Sequence, residues 1–430
     1  MSAIHGVNYG TPTLDLNFAK NKSLIDTVSG LNLVTFTRGS IGTYVGADGL
    51  IKTAVANEAR FDHNPVTGVC NGLLVEEART NLIITSIPEN GLTRHNGIFS
   101  GNAAIAPDGT LTASLVTTGA FSSRFGWYNN YGSIPISGGT GVISFYAKSN
   151  GSPWVGVACG LGSPWNYSNA AYNLVTGASR TYITNTHGYQ FKRATSVGNG
   201  WFRVEFDVIT PSNSIPKDYL MFNTALSGSN GDLVNSFAGD GVSGAYFWGL
   251  QIESGSFATS LIPTSGSTVT RSADSASITG TNFSRWYNQN EGTFSANLLP
   301  IEPVNDGSGF GTIFLDLQGD GFVLQSRVGS SYAIRSNHPS FNSILIGTVD
   351  NKLRFSIGIS ADGSTSISRS SSLPIVNTVT IGTSTKTGLL IGDGSRLGTW
   401  GAGGTGSCVF SRLTYYPTRL QDSQLQQLTK

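Results

Sequence analysis

Along most of this chain apolar and polar residues alternate with a period of two, the repeat of a strand with one buried face. In residues 141–148, Ile143, Phe145 and Ala147 share one face, and Val142, Ser144, Tyr146 and Lys148 the other. In residues 201–208, Phe202, Val204, Phe206 and Val208 point one way, while Arg203, Glu205 and Asp207 point the other. Residues 353–359 alternate similarly, and the next segment, 364–370, follows an Asp-Gly pair, which reads as a hairpin. Turn chemistry separates the alternating segments. Asn-Gly begins at Asn71, Asn90, Asn96, Asn150, Asn199 and Asn230, and Asp-Gly at Asp48, Asp108, Asp240, Asp306, Asp320, Asp362 and Asp393. Such pairs tolerate the positive φ of tight turns. Helical periodicity is clear at the C-terminus, where Leu425 and Leu428 form an i, i+3 stripe and Ser423 and Gln426 have capping-box spacing. A short closing helix is predicted there. No heptad run occurs, so any oligomer is expected to form through β-surfaces.

These patterns predict an all-β chain of two antiparallel β-sandwiches, because a strand with one apolar face needs a second sheet to cover it. The divisions read from the sequence are a mixed N-terminal segment of short strands and turns over 1–82, a first sandwich over 83–264, a linker over 265–274 and a second sandwich over 275–430. Residues 262–268 have the Pro, Gly, Ser and Thr content of a connection.

Composition narrows the function. Only 12% of the 430 residues are charged, about half the roughly 25% usual for soluble domains. The surface is therefore polar without being ionic. With 39% hydrophobic residues and a net charge of +1, the chain can build cores rather than remain disordered. No concentrated basic run exists of the kind nucleic-acid binding needs. Cys70, Cys159 and Cys408 are odd in number and widely spaced, which indicates free thiols rather than a disulfide framework or zinc site. The first residues lack the basic and apolar regions of a secretory signal, and no apolar run approaches membrane-spanning length. The expectation is a protein folded in a reducing cytoplasm and without membrane insertion.

The search for chemistry predicts no enzyme. A glycan-degrading site needs two carboxylates roughly 5 to 9.5 Å apart, yet no Asp or Glu occurs between Asp108 and Glu205. Farther on, Asp306, Asp320, Asp362 and Asp393 sit in Asp-Gly pairs that read as turns. The histidines His5, His63, His95, His187 and His338 are isolated, and neither a GxSxG elbow nor a P-loop occurs. Aromatic residues in turn-rich contexts give the best binding signal: Trp127, Tyr128 and Tyr131, then Trp154, then Trp165 and Tyr167. Their rings suit the C–H faces of sugars, and a sandwich end or a subunit interface is the competing and stronger reading. Trp201, Trp248, Trp286 and Trp400 read as core.

Three parts of the chain resemble a family of phage tail-fibre, head-fibre and related virion proteins. Residues 59–68, ARFDHNPVTG, are followed by GLLVEEARTNL at 72–82. Residues 247–264, FWGLQIESGSFATSLIPT, are followed by VTRSAD at 269–274. Trp286 and residues 291–293, with Gly406 and LTYYPTRL at 413–420, resemble the opening and closing of a laminin-G-like fold. The matched residues read as structural: Asp62 and Pro65 as a turn, Glu76 and Arg79 as a local pair, Trp248 as pointing inward. The resemblance implies jelly-roll and concanavalin A-like sandwiches on a particle surface, residues 1–82 as the attachment segment, a homotrimer, contact with other virion proteins and contact with a host cell-surface glycan. Within that family the readings are a tail-fibre or receptor-binding protein, a capsid-bound head-fibre or decoration protein and, against the missing carboxylates, a polysaccharide depolymerase. It also implies calcium as a candidate partner, with Asp320 and Asp393 in Gly-rich loops as ligands; ordinary hairpin turns are the competing reading of both.

Overall fold

The computed structural model describes residues 9–129, 132–158, 168–183, 188–210, 213–215, 220–226, 237–301, 313–319, 321–327, 331–336, 343–348, 353–369, 375–376, 381–382, 385–392 and 407–430. The alternating segments form antiparallel sheets, as their period of two predicts, and pack as two sandwiches.

The middle sandwich has two six-stranded sheets. One runs Gly188–Gly198, Trp201–Ile209, Thr140–Asn150, Gly244–Ser254, Leu111–Thr117, Ile98–Ile105. The other runs Ser179–Ile183, Ser168–Asn173, Trp154–Ala158, Met221–Ala225, Phe125–Tyr128, Thr93–His95. Ile143, Phe145, Val204 and Phe206 face Val155, Val157 and Phe222 across the core. The back of the first sheet is also covered, because Tyr146, Trp201, Trp248 and Leu261 form a smaller apolar cluster there. This second layer buries Glu205, a residue on the predicted solvent face, which takes Arg193 Nε at 3.0 Å.

The other sandwich is assembled from both ends of the chain. Its eight-stranded sheet runs Ile375–Val376, Thr365–Arg369, Leu353–Ile359, Gly292–Pro300, Cys408–Tyr416, Cys70–Val75, Arg60–His63, with Leu14–Leu16 also pairing with Cys408–Tyr416. The facing sheet runs Thr35–Thr37, Ser275–Thr279, Gly388–Ile391, Ile313–Leu317, Phe322–Arg327, Ser331–Ser336, Ser343–Thr348. Four strands of the expected attachment segment thus belong to the C-terminal sandwich. Short strands carrying Leu14, Leu16, Leu73 and Val75 have no core of their own, and these side chains join Phe294, Phe355 and Tyr415. The middle sandwich is therefore an insertion between two halves of the other.

The crossing point is a ribbon. Arg79–Asn81 leads into the middle sandwich, Val269–Arg271 leads out, and the two strands pair antiparallel with Arg271 opposite Arg79. The stretch expected to be a linker therefore contains a paired strand and two buried charges, Arg271 and Asp274.

Among the described residues, turn chemistry holds at the Asp-Gly pairs and departs from expectation at Asn71-Gly72. Asp48, Asp108, Asp240 and Asp362 each accept a hydrogen bond from the backbone N–H two residues on, which fixes the turn. Asn71-Gly72 instead lies inside a strand, beside an irregularity in the pairing with Arg60–His63. Gly72 has φ of 133°, and a Cβ there would sit 1.9 Å from the Phe410 carbonyl oxygen, so close strand approach requires glycine. The C-terminal helix spans Asp422–Leu428, with its capping box formed by Gln421 and Gln424 rather than Ser423 and Gln426. Leu425 is buried and Leu428 packs beside it, as their spacing predicts. Cys408 is buried and Cys70 half-buried, both free, while Cys159 lies outside the described residues.

Candidate functional site

Of the aromatic residues singled out for sugar contact, the three among the described residues, Trp127, Tyr128 and Trp154, do not form an exposed surface. Trp127 sits in the Phe125–Tyr128 strand with no exposed area, its ring against Phe99 and Phe247 and its indole N–H donated to Glu89 Oε1 at 2.6 Å. Strand alternation turns it into the core, which corrects its reading as a contact residue. Trp154 is also buried, under the Arg180 guanidinium. Tyr128 is half-buried and lies edge-on to His95. Tyr131, Trp165 and Tyr167 lie outside the described residues, as do Trp400 and the calcium candidates Asp320 and Asp393. Trp201, Trp248 and Trp286 are buried. Among the described residues no cluster of three or more His, Cys, Asp or Glu could hold a metal, and no helix is long and apolar enough to cross a membrane.

Residues from two of the three resembling stretches, 59–82 and 247–274, meet at the crossing ribbon. Arg38, Arg60, Arg271, Glu76 and Asp274 form a solvent-excluded ion network. Arg60 Nη1 lies 2.7 Å from Glu76 Oε2, Arg60 Nη2 pairs with Asp274, and Arg38 Nη1 lies 3.0 Å from Asp274 Oδ1. Arg271 Nη2 lies 3.5 Å from the same Glu76 oxygen. Ser260, from the middle sandwich, donates both its N–H and its hydroxyl to Glu76 at 2.7 Å. Burial pushes the Glu76 carboxyl up, but Arg271, Arg60 and the Ser260 hydrogen bonds outweigh it and bring it to about 2. Glu76 therefore pairs with residues distant in sequence, and Arg79 pairs with Glu77 instead. Arg79 also lies against Gly255, where a Cβ would meet its guanidinium at 2.0 Å. Asn81 completes the join: its amide donates to the Leu250 and Ile262 carbonyls at 3.1 and 2.9 Å and accepts from Ile252 N–H at 3.0 Å. These contacts are architectural.

A cleft of about 380 Å³ on the outer face of the eight-stranded sheet has a different character. Alternation places Phe294, Ala296, Leu298, Phe355, Leu413 and Tyr415 in the core, so their neighbours Ser295, Asn297, Arg354, Arg412 and Thr414 face outward. Pairing register then sets Asn297 opposite Arg412 on one side and opposite Arg354 on the other. Tyr9, Tyr416 and Gln427 of the terminal helix complete the walls. Asp15 neutralises Arg412 through two contacts of 2.8 Å. Among the described residues, no hydrogen-bond partner meets the Arg354 guanidinium, the Asn297 and Gln427 amides or the Tyr9 and Tyr416 hydroxyls, and Asn297 Oδ1 is buried unsatisfied. Burial pushes both tyrosine hydroxyls up, so they remain protonated donors at neutral pH. None of these residues was singled out as a site from the sequence. The outward parity of Arg354 was readable within 353–359, but its neighbours come from strands far away in the chain.

No protein-family model and no curated protein matches the chain. Among solved structures it is similar to Trypanosoma rangeli sialidase, with 11% identity and a TM-score of 0.28, covering 74% of this chain and 60% of that one. It is also similar to the same enzyme in complex with sialic acid, with 12% identity and a TM-score of 0.27, covering 75% of this chain and 54% of that one. The chain thus spans less than two thirds of the length of these relatives. The expectation that it is not an enzyme is corrected by this finding: the solved structures it is similar to are enzymes, and that expectation is withdrawn. Overlaps at these TM-scores carry no activity, substrate or site residue across to this chain.

Proposed function

We propose that this protein is a surface component of a bacteriophage particle, of the tail-fibre or receptor-binding type, with its sandwiches presented for contact with host glycans. The observation that carries the reading is the convergence of the resembling stretches. Residues 59–82 and 247–274 lie far apart in sequence, yet Arg60, Glu76, Asn81, Ser260, Arg271 and Asp274 build one join between the two sandwiches. Two of the three segments that resemble virion proteins therefore act as a single structural unit. A polar surface with few charges suits exposure on a particle. In this reading the chain is a homotrimer, held to other virion proteins. Antibody-gold electron microscopy of intact particles tests it. Label at the tail tip supports the proposal, label on the head favours the capsid-bound decoration alternative, and particles without label overturn both. Light scattering tests the assembly, and a clean monomer at micromolar concentration would remove the trimer.

A further inference from the structure

Buried and half-buried polar groups ordinarily find partners, so several unpaired groups lining one cavity call for an explanation. In the cleft, those without a partner among the described residues belong to Arg354, Asn297, Gln427, Tyr9 and Tyr416. The contrast lies within the same cleft. Asp15 is saturated by Arg412 and by the Thr27 hydroxyl at 3.0 Å, so the carboxylate present is already committed. Arg354 and Lys430 line the cleft with no carboxylate partner among the described residues, and they leave it with uncompensated positive charge.

We infer that this cleft binds a saccharide bearing a carboxylate. A guanidinium takes a carboxylate through two parallel N–H bonds, a geometry that Arg354 has free. The two amides and two phenol hydroxyls supply neutral donors and acceptors, the complement of sugar hydroxyls. Tyr9 and Tyr416 pack with ring centroids 6.4 Å apart and add an amphipathic wall. The volume of about 380 Å³ lies in the range of small-molecule sites and suits one or two sugar units. Asn297 holds the middle position between the two arginine strands, so its amide is placed to bind a ring hydroxyl while Arg354 holds the acid. The inference rests on the cleft and stands apart from the particle location, so either can fail alone.

Isothermal titration of the full chain tests it with glucuronate, galacturonate and N-acetylneuraminate, against glucose, galactose and inorganic phosphate. At least one acidic sugar is expected to bind about tenfold or more tightly than every neutral sugar, and Arg354→Gln is expected to remove that margin. Tyr416→Phe should weaken binding of acidic and neutral sugars together, with circular dichroism unchanged. Absence of binding by all three acids overturns the inference. So does acid binding unchanged in Arg354→Gln, or phosphate binding as tight as the best acid, which would make this a general anion site.

Discussion

Arg60 Nη1 and Glu76 Oε2 lie 2.7 Å apart with both side chains closed to solvent, at the point where the chain leaves one sandwich for the other. Breaking a buried pair from one side costs more than the pair itself contributes, because the remaining charge stays desolvated. Glu76→Gln keeps the shape and removes the charge that Arg60 and Arg271 share. The expected loss is about 3 to 5 kcal/mol, read from urea denaturation of the full chain. A loss below about 1 kcal/mol would mean that the network is no more than a surface-type pair.

The same carboxylate makes stability depend on acid. Its value falls from the ordinary 4.5 to about 2 in the folded chain. The folded value lies below the unfolded one, so Glu76 adds stability above about pH 4.5 and that contribution fades as pH drops toward 2. Urea midpoints of wild type and Glu76→Gln should therefore differ most near neutral pH and converge between those two values. Curves that stay parallel through that window would remove Glu76 as the source.

Much of the architecture was legible in local pattern. The alternation of Ile143, Phe145 and Ala147 and of Val204, Phe206 and Val208 identified core faces correctly, because a strand's parity is a local property. The Leu425 and Leu428 stripe identified the terminal helix, but its cap was misplaced by two residues. Polar pairs three apart start at both Gln421 and Ser423, and spacing alone does not choose between them. Pairing between distant strands was not legible. Leu14–Leu16 and Cys70–Val75 are too short and too far from their partners in sequence to show locally that their apolar faces belong to the C-terminal core. The cleft was hidden for the same reason, since Asn297, Arg354 and Arg412 become neighbours only through register. Glu76 was misassigned to Arg79 because sequence shows only nearby partners.

Trp127 gives the sharpest contrast between context and packing. Its flanks, Gly126 and the polar residues after Tyr128, suggested a turn, but a four-residue strand puts the indole between Phe99 and Phe247. Trp127→Ala should lower stability by about 3 to 5 kcal/mol, as a large aromatic deletion does in a core that cannot collapse. Thermal or urea unfolding reads this. A variant as stable as wild type would return Trp127 to the surface.

Asn81 tests whether the resembling stretch acts as a joint. It stands at the end of the Arg79–Asn81 strand, and its single amide bridges Leu250, Ile252 and Ile262, all of the middle sandwich. In Asn81→Ala, the Leu250 and Ile262 carbonyls and the Ile252 and Ile83 N–H groups lose this amide as a partner, and each unsatisfied buried group costs about 1 to 3 kcal/mol. The damage falls on the middle sandwich and its attachment, since the core around Phe294 and Tyr415 is not touched by this amide. Calorimetry should show a transition moved to lower temperature for the middle sandwich, ahead of unfolding of the C-terminal one. Hydrogen exchange would place it, with protection lost first in Gly244–Ser254 and kept in Gly292–Pro300. Equal loss in both strands would mean that the two sandwiches unfold as one unit and that the ribbon is no separate joint.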